Sequence, residues 1–150
     1  MSFETKIVSA RETFDLRSRI LRPGQAIELC QYPEDHFATS FHLAVFHQGR
    51  VVSNGTFLQQ GHDKFSNACN PYRLRGMATD WLFQRQGLGS LIIAEAMKEL
   101  KMRGCDLIWF NARTSAEIFY DKLGFNSLPE IFDIALIGPH KIMYKSLSAK

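Results

Sequence analysis

The stretch QRQGLGSLIIAEAMKELKMRG, residues 84–104, decides how the rest of the chain is read. Its second part is a helix. Ile92, Ile93, Ala96, Met97 and Leu100 recur at helical spacing, Glu95, Lys98, Glu99 and Arg103 take the opposite face, and Gly104 is placed to end it. Its first part puts Gly87 and Gly89 where that helix opens, with Arg85 beside them. Free N–H groups at a helix start attract an anion, and positions without side chains let a pyrophosphate lie against the main chain. A plain strand-to-helix turn would use the same glycines as punctuation. Two familiar phosphate patterns fail here. The G-x-x-x-x-G-K-[ST] loop is absent. The G-x-G-x-x-G fingerprint lacks its third glycine, and Asp106 precedes the next strand instead of ending it, which disfavours a nicotinamide cofactor. The pattern [Q/R]-x-x-G-x-[G/A], opening a helix after a long strand, is met by Gln84, Gly87 and Gly89.

Upstream, YRLRGMAT (residues 72–79) alternates as a long strand, after a polar loop over residues 61–71. FHLAVFHQGRVVSNGTFLQQ, residues 41–60, reads as a hairpin turning at Gln48 and Gly49. FETKIV (residues 3–8) predicts a first strand. ARETFDLRSRIL predicts a helix with Phe14, Ile20 and Leu21 inward, stopped by Arg22-Pro23-Gly24, and residues 25–40 are irregular or a short helix. Downstream, DLIWF (residues 106–110) has the apolar density of a strand buried on both faces. Thr114 and Glu117 have capping-box spacing, predicting a helix with Ile118, Phe119 and Leu123 inward and Gly124 at its end. IFDIALI and HKIMYKSL supply two last strands around a break at Gly138-Pro139. The helix between the fourth and fifth strands implies a crossover and some parallel pairing. The expected fold is α/β (α+β): a mixed, mostly antiparallel central sheet of about six to seven strands with helices on both faces.

The 150 residues suit one domain, residues 1–150, of ordinary globular composition with 45% hydrophobic and 22% charged residues. A net charge of +3, with both signs interspersed, argues against nucleic acid but suits a small anionic ligand. No apolar run approaches the roughly 18 residues of a membrane span, and the start lacks a secretory apolar region. Cys30, Cys69 and Cys105 form no disulfide framework or metal-ligand spacing, so no metal is expected; Cys30 and Cys105 read as buried, Cys69 as exposed. The chain reads as cytoplasmic.

A second motif joins the glycine stretch. NARTSAEIFYDKLGF, residues 111–125, follows the buried strand and ends its helix in Leu123-Gly124-Phe125. With both motifs in this order, the sequence resembles the GNAT superfamily of acetyl-CoA-dependent N-acyltransferases over most of residues 41–145. The glycine stretch is similar to that family's pyrophosphate loop, and A-x-x-F-Y-x-K-L-G-F to its C-terminal signature. LRSRILRPGQ, residues 16–25, more weakly resembles the opening helix of some bacterial members. The resemblance implies acetyl-CoA as cosubstrate, an amine as acceptor, a bulge in the fourth strand and a V-shaped gap between strands 4 and 5. It implies that Met77, Ala78 and Thr79 bond the pantetheine arm through their backbone. It implies that Gln84, Arg85, Gln86, Gly87, Leu88, Gly89 and Ser90 hold the pyrophosphate. Asn111 would bond the pantetheine or the acceptor at the mouth of the gap; many members place asparagine two residues later, where this chain has Arg113. A homodimer is compatible with the family.

Tyr120 occupies the position of the family's general acid. Tyrosine's ordinary pKa of about 10 lies above a thiol's about 8.5, so the phenol stays protonated and can donate to a leaving thiolate. As a bare sequence feature it is equally a half-buried helix aromatic. For a base, Glu28, Asp35, His42, Asp80 and His140 are candidates, and a water chain is the alternative. Two readings result: an N-acetyltransferase acting on a primary amine by direct attack in a ternary complex, and a non-catalytic acyl-CoA-binding regulatory module of the same fold. Small amines, aminoglycosides and protein amino groups are all open as acceptors.

Overall fold

The computed structural model describes residues 2–147. Seven strands form one mixed sheet in the order β1-β2-β3-β4-β5-β7-β6. They are β1 Glu4–Val8, β2 Phe41–His47, β3 Arg50–Gln59, β4 Pro71–Thr79, β5 Leu107–Arg113, β6 Asn126–Ile134 and β7 Gly138–Ser146. Every neighbouring pair is antiparallel except β4 with β5, which is parallel. The crossover between those two carries α2, Leu88–Met102. The other helices are α1, residues 10–21, and α3, Glu117–Lys122. The fold class expected from the sequence is therefore the one found.

The chain covers the two faces of the sheet differently. On one, Leu88, Ile92, Ile93, Ala96 and Leu100 of α2 pack on Phe41, Leu43, Val45, Phe57, Leu74 and Phe110 in one apolar cluster. The C-terminus of α2 is closed at Gly104, where the Gly104 amide donates to Lys101 O (3.1 Å) and the Cys105 amide to Leu100 O (2.9 Å). On the opposite face lies α1, a composite of a 3-10 turn (Ala10–Thr13), one α turn (Phe14–Leu16) and a π turn (Arg17–Leu21). Its buried residues are Ala10, Thr13, Leu16 and Arg17, so the expected inward set of Phe14, Ile20 and Leu21 is corrected: all three are only half-buried. A smaller cluster of Leu107, Trp109 and Ile142 covers the other end, and Phe65 from the predicted polar loop packs against it.

Strands β4 and β5 pair only over Pro71–Leu107, Tyr72–Ile108 and Arg73–Trp109, then diverge. Just beyond, β4 bulges. Asn54 of β3 pairs with Ala78 and Thr56 with Arg75, so Gly76 and Met77 both stand opposite Gly55. The extra residue bends β4 away from β5 and opens the V-shaped gap. A side chain at Gly76 would come within 3.0 Å of Arg17 Nε, so the bulge also makes room for the α1 arginine.

Two local expectations are corrected near the C-terminus. Thr114 starts a 3-10 turn, Thr114–Ala116, and caps nothing. Glu117 instead accepts hydrogen bonds from Ser127 Oγ (3.0 Å) and Lys141 Nζ (3.2 Å), tying α3 to β6 and β7. The buried residue of α3 is Tyr120, while Ile118 and Phe119 are 71% and 38% exposed; Leu123 packs partly against the core. A helix of 6 residues buries little more than one position, and its end selects which. In the last hairpin the turn falls at Ala135–Ile137, with Leu136 at φ 69, and Pro139 lies inside β7. There β5 has already ended, since its last pair is Arg113–His140, so the missing N–H interrupts no rung with β5.

Candidate active site

The glycine stretch opens α2 as expected. Gly87 sits at φ 78 as N-cap, a left-handed conformation that glycine adopts without strain, and a side chain there would meet nothing within 4 Å. The first helical bond runs from the Leu91 amide to Gly87 O (3.1 Å), so the amides of Leu88, Gly89 and Ser90 have no acceptor within the helix. Leu88 is buried in the α2 cluster and anchors the loop, while Arg85, Gln86 and Gly87 are exposed beside it. Gln84 is spent differently: its side-chain amide donates to Thr79 O (3.1 Å), bracing the loop against the end of β4. Thr79 Oγ1 lies 2.8 Å from Ser53 Oγ, and Ser53 Oγ also donates to Ala78 O (3.2 Å). Met77, at the bulge, lines the gap.

Tyr120 is positioned by the end of its own helix. Gly124 adopts φ 91, its amide donates to Asp121 O (3.0 Å), and the Phe125 amide donates to Tyr120 O (3.2 Å). That closure folds Phe125 back over Tyr120, ring centroids 5.9 Å apart, with Phe110 of β5 beneath at 4.4 Å from Tyr120. The Leu-Gly-Phe ending is thus a device for fixing the tyrosine ring. Tyr120 is 7% exposed, and burial alone pushes its phenol well above the ordinary tyrosine range. It is a protonated donor at any physiological pH.

The gap widens into an open cleft of about 260 Å³. Tyr120, Asn111 and Met77 line it, along with Tyr32, Ala116 and His140. Four guanidinium groups also face it, those of Arg22, Arg73, Arg75 and Arg113. Sequence reasoning did not single out Arg22, Arg73, Arg75 or Tyr32. The R-x-R spacing in YRLRGMAT put Arg73 and Arg75 on one strand face, but only the topology says that this face meets the cleft.

The candidate bases fare unequally. Arg17 clasps Asp35 through two bonds of 2.8 Å with both side chains 1% exposed, and its Nη2 also donates to Thr56 Oγ1 (2.6 Å). With that bond made, the Thr56 hydroxyl donates to His42 Nδ1 (2.8 Å), and His42 Nε2–H donates to Asp35 O (2.9 Å). Burial pushes the His42 imidazole below its ordinary value, consistent with this neutral tautomer. Asp35 and His42 are therefore the polar clamp that docks α1. Asp80 caps the turn after β4 through the Leu82 amide (3.0 Å) and accepts from Arg19 (3.1 Å); Glu28 is exposed. None of these four lines the cleft. His140 does, and its Nδ1–H donates to Gly138 O at 2.7 Å, which leaves the Nε2 lone pair uncommitted by that bond.

The profile of the family described as Acetyltransferase (GNAT) domain matches residues 38–127. The uncharacterized N-acetyltransferase YitI of Bacillus subtilis is 44% identical over 144 residues, spanning 96% of each protein. The crystal structure of Escherichia coli ElaA superposes with a TM-score of 0.76 at 15% identity, over 96% of this chain and 99% of that one. An aminoglycoside 6'-N-acetyltransferase complexed with coenzyme A superposes with a TM-score of 0.72 at 13% identity, over 95% and 96%.

Proposed function

Given that this chain belongs to the GNAT family of acetyltransferases, we propose that it transfers an acetyl group from acetyl-CoA to a primary amine by direct attack in a ternary complex. The observation that carries the reading is the convergence of the β4–β5 gap, the buried protonated Tyr120 and a basic histidine nitrogen on one cleft. The free amides of Leu88, Gly89 and Ser90, with the open space at Gly87, suit a pyrophosphate, and Arg85 adds a cation. The end of β4 around Met77, Ala78 and Thr79, where pairing with β5 has stopped, suits a pantetheine arm, with Asn111 across the gap.

In the chemical step the acceptor must first lose its ammonium proton. Among the cleft side chains His140 is the one with a ring nitrogen able to accept a proton, and its Nε2 takes that proton, alone or through water. The amine nitrogen then attacks the thioester carbonyl carbon, the C–S bond breaks, Tyr120 protonates the departing sulfur, and the acylated nitrogen releases its second proton to water. Exchange with solvent returns the proton from His140 and restores the phenol, so the net products are an N-acetyl amine and free coenzyme A.

Single-turnover kinetics test both roles. Tyr120→Phe should lower the rate by about a hundredfold or more, with acetyl-CoA affinity nearly unchanged. His140→Gln should lower the single-turnover rate by about tenfold or more, again with acetyl-CoA affinity nearly unchanged. A Tyr120→Phe enzyme with wild-type single-turnover rates would make Tyr120 an ordinary core aromatic.

A further inference from the structure

The cleft has a charge that the transfer chemistry does not use. Arg22, Arg73, Arg75 and Arg113 line it, and no aspartate or glutamate does. Among the described residues none of the four forms an ion pair. Arg17, Arg19 and Arg103 all do, with Asp35, with Asp15 and Asp80, and with Glu99. Resting on the acetyltransferase reading above, we propose that the acceptor amine carries an oxyanion, a carboxylate or a phosphate, which these arginines receive.

Three observations carry this. Arg73 and Arg75 are two residues apart on β4 and face the same side, so folding brings two like charges together, with no carboxylate in ion-pair contact with either. Burial, then Arg75, pull the pKa of Arg73 down to about 10, against weaker opposing pulls from Tyr32 and Glu34, so Arg73 is still cationic at neutral pH. Second, their planes are held by stacking. Arg75 lies 3.8 Å from the ring centre of Tyr32, and Arg73 lies 4.9 Å from that of Trp109. A stacked guanidinium can turn an N–H edge onto a planar oxyanion; on Arg73, Nη1 donates a long bond to Gln60 Oε1 (3.4 Å), while its Nε is buried with no hydrogen-bond partner in the protein. Third, residues 84–90, whose amides suit the pyrophosphate, do not line this cavity. The coenzyme's phosphates therefore leave these arginines unused. Polycationic acceptors would meet repulsion here.

The test compares matched acceptors at saturating acetyl-CoA: β-alanine against β-alaninamide, phosphoethanolamine against ethanolamine, and spermidine as polycation. The anionic member of at least one pair should have the higher kcat/KM, by about ten- to a hundredfold. Which pair shows it tells carboxylate from phosphate. In Arg75→Gln that ratio should fall toward one through a raised acceptor KM, with the KM for acetyl-CoA unmoved; Arg75→Lys should restore part of it. Equal or better turnover of the neutral member in both pairs, or of spermidine over both anionic acceptors, would overturn the proposal. If no amine is acetylated, the transfer reading fails by itself. The anion site is then judged by calorimetry of β-alanine and phosphoethanolamine on CoA-saturated protein: Arg75-dependent binding supports it, and no binding refutes it.

Discussion

Under α2 the sheet is covered by leucine, isoleucine and alanine; under α1 it is covered by an arginine. The α2 face is held by contact area, which is non-directional and tolerates small changes of shape. The α1 face is held by one guanidinium that bonds Asp35, Thr56 and Cys30 O and stacks 4.0 Å from Tyr32. The first arrangement carries the loop that suits the coenzyme; the second fixes residues 25–40, which put Tyr32 in the cleft. Contact area gives a common scaffold, and a specific polar clamp ties a variable segment to it.

Breaking the clamp should have the largest effect. Arg17→Ala leaves Asp35 buried without its partner and should cost about 3–5 kcal/mol of unfolding free energy. Replacing both partners with apolar residues, as in Arg17→Met with Asp35→Leu, should recover most of that loss. Urea unfolding of the three proteins measures both, and a single mutant within about 0.5 kcal/mol of wild type would show that α1 is held by something else.

On the α2 face a one-carbon change should be felt far less. Ile92→Val removes one buried methyl group and should cost about 0.5–1.5 kcal/mol. A loss as large as that of Arg17→Ala would erase the contrast between the faces.

The smallest signal needs only a change of pH. Burial depresses the His42 imidazole, so the native state protonates less readily than the unfolded chain, and stability falls as pH drops below about 6.5. Burial pushes the Asp35 carboxyl up, but bonds from Arg17 and the Tyr32 amide outweigh it and hold Asp35 below its ordinary range. Its share is lost only below about pH 4. His42→Gln should lower overall stability while reducing the slope of the urea midpoint between pH 7 and about 5. An unchanged slope would remove His42 from the clamp's titration.

The same contrast explains what the sequence made legible. The inward residues of α2, the hairpin at Gln48-Gly49, the β4 strand and the order of elements all follow from periodicity and turn chemistry. Those signals encode contact area. Arg17 and Asp35 lie 18 residues apart in a segment of 3-10, α and π turns, and an arginine in an amphipathic pattern reads as solvent-facing. Nothing local marks it as the buried one. Tyr120 was singled out by resemblance, but its burial depends on the reversal at Gly124, which folds Phe125 back over it. The cleft arginines were illegible because the end of α1, β4 and the end of β5 come together there only through the tertiary fold.

The three residue pairs that join β4 to β5 are the whole main-chain seam between a four-stranded and a three-stranded half. Past that seam each half presents an interior edge, a row of peptide groups with no partner strand, in the middle of a sheet whose other unpaired rows are the outer sides of β1 and β6. Exposed edges of this kind usually invite another chain. Here the edges diverge, so no flat strand can span both, and the opening admits only something narrow, extended and able to bond with peptides on either side. The molecule is, in effect, an eight-place lattice built with seven strands.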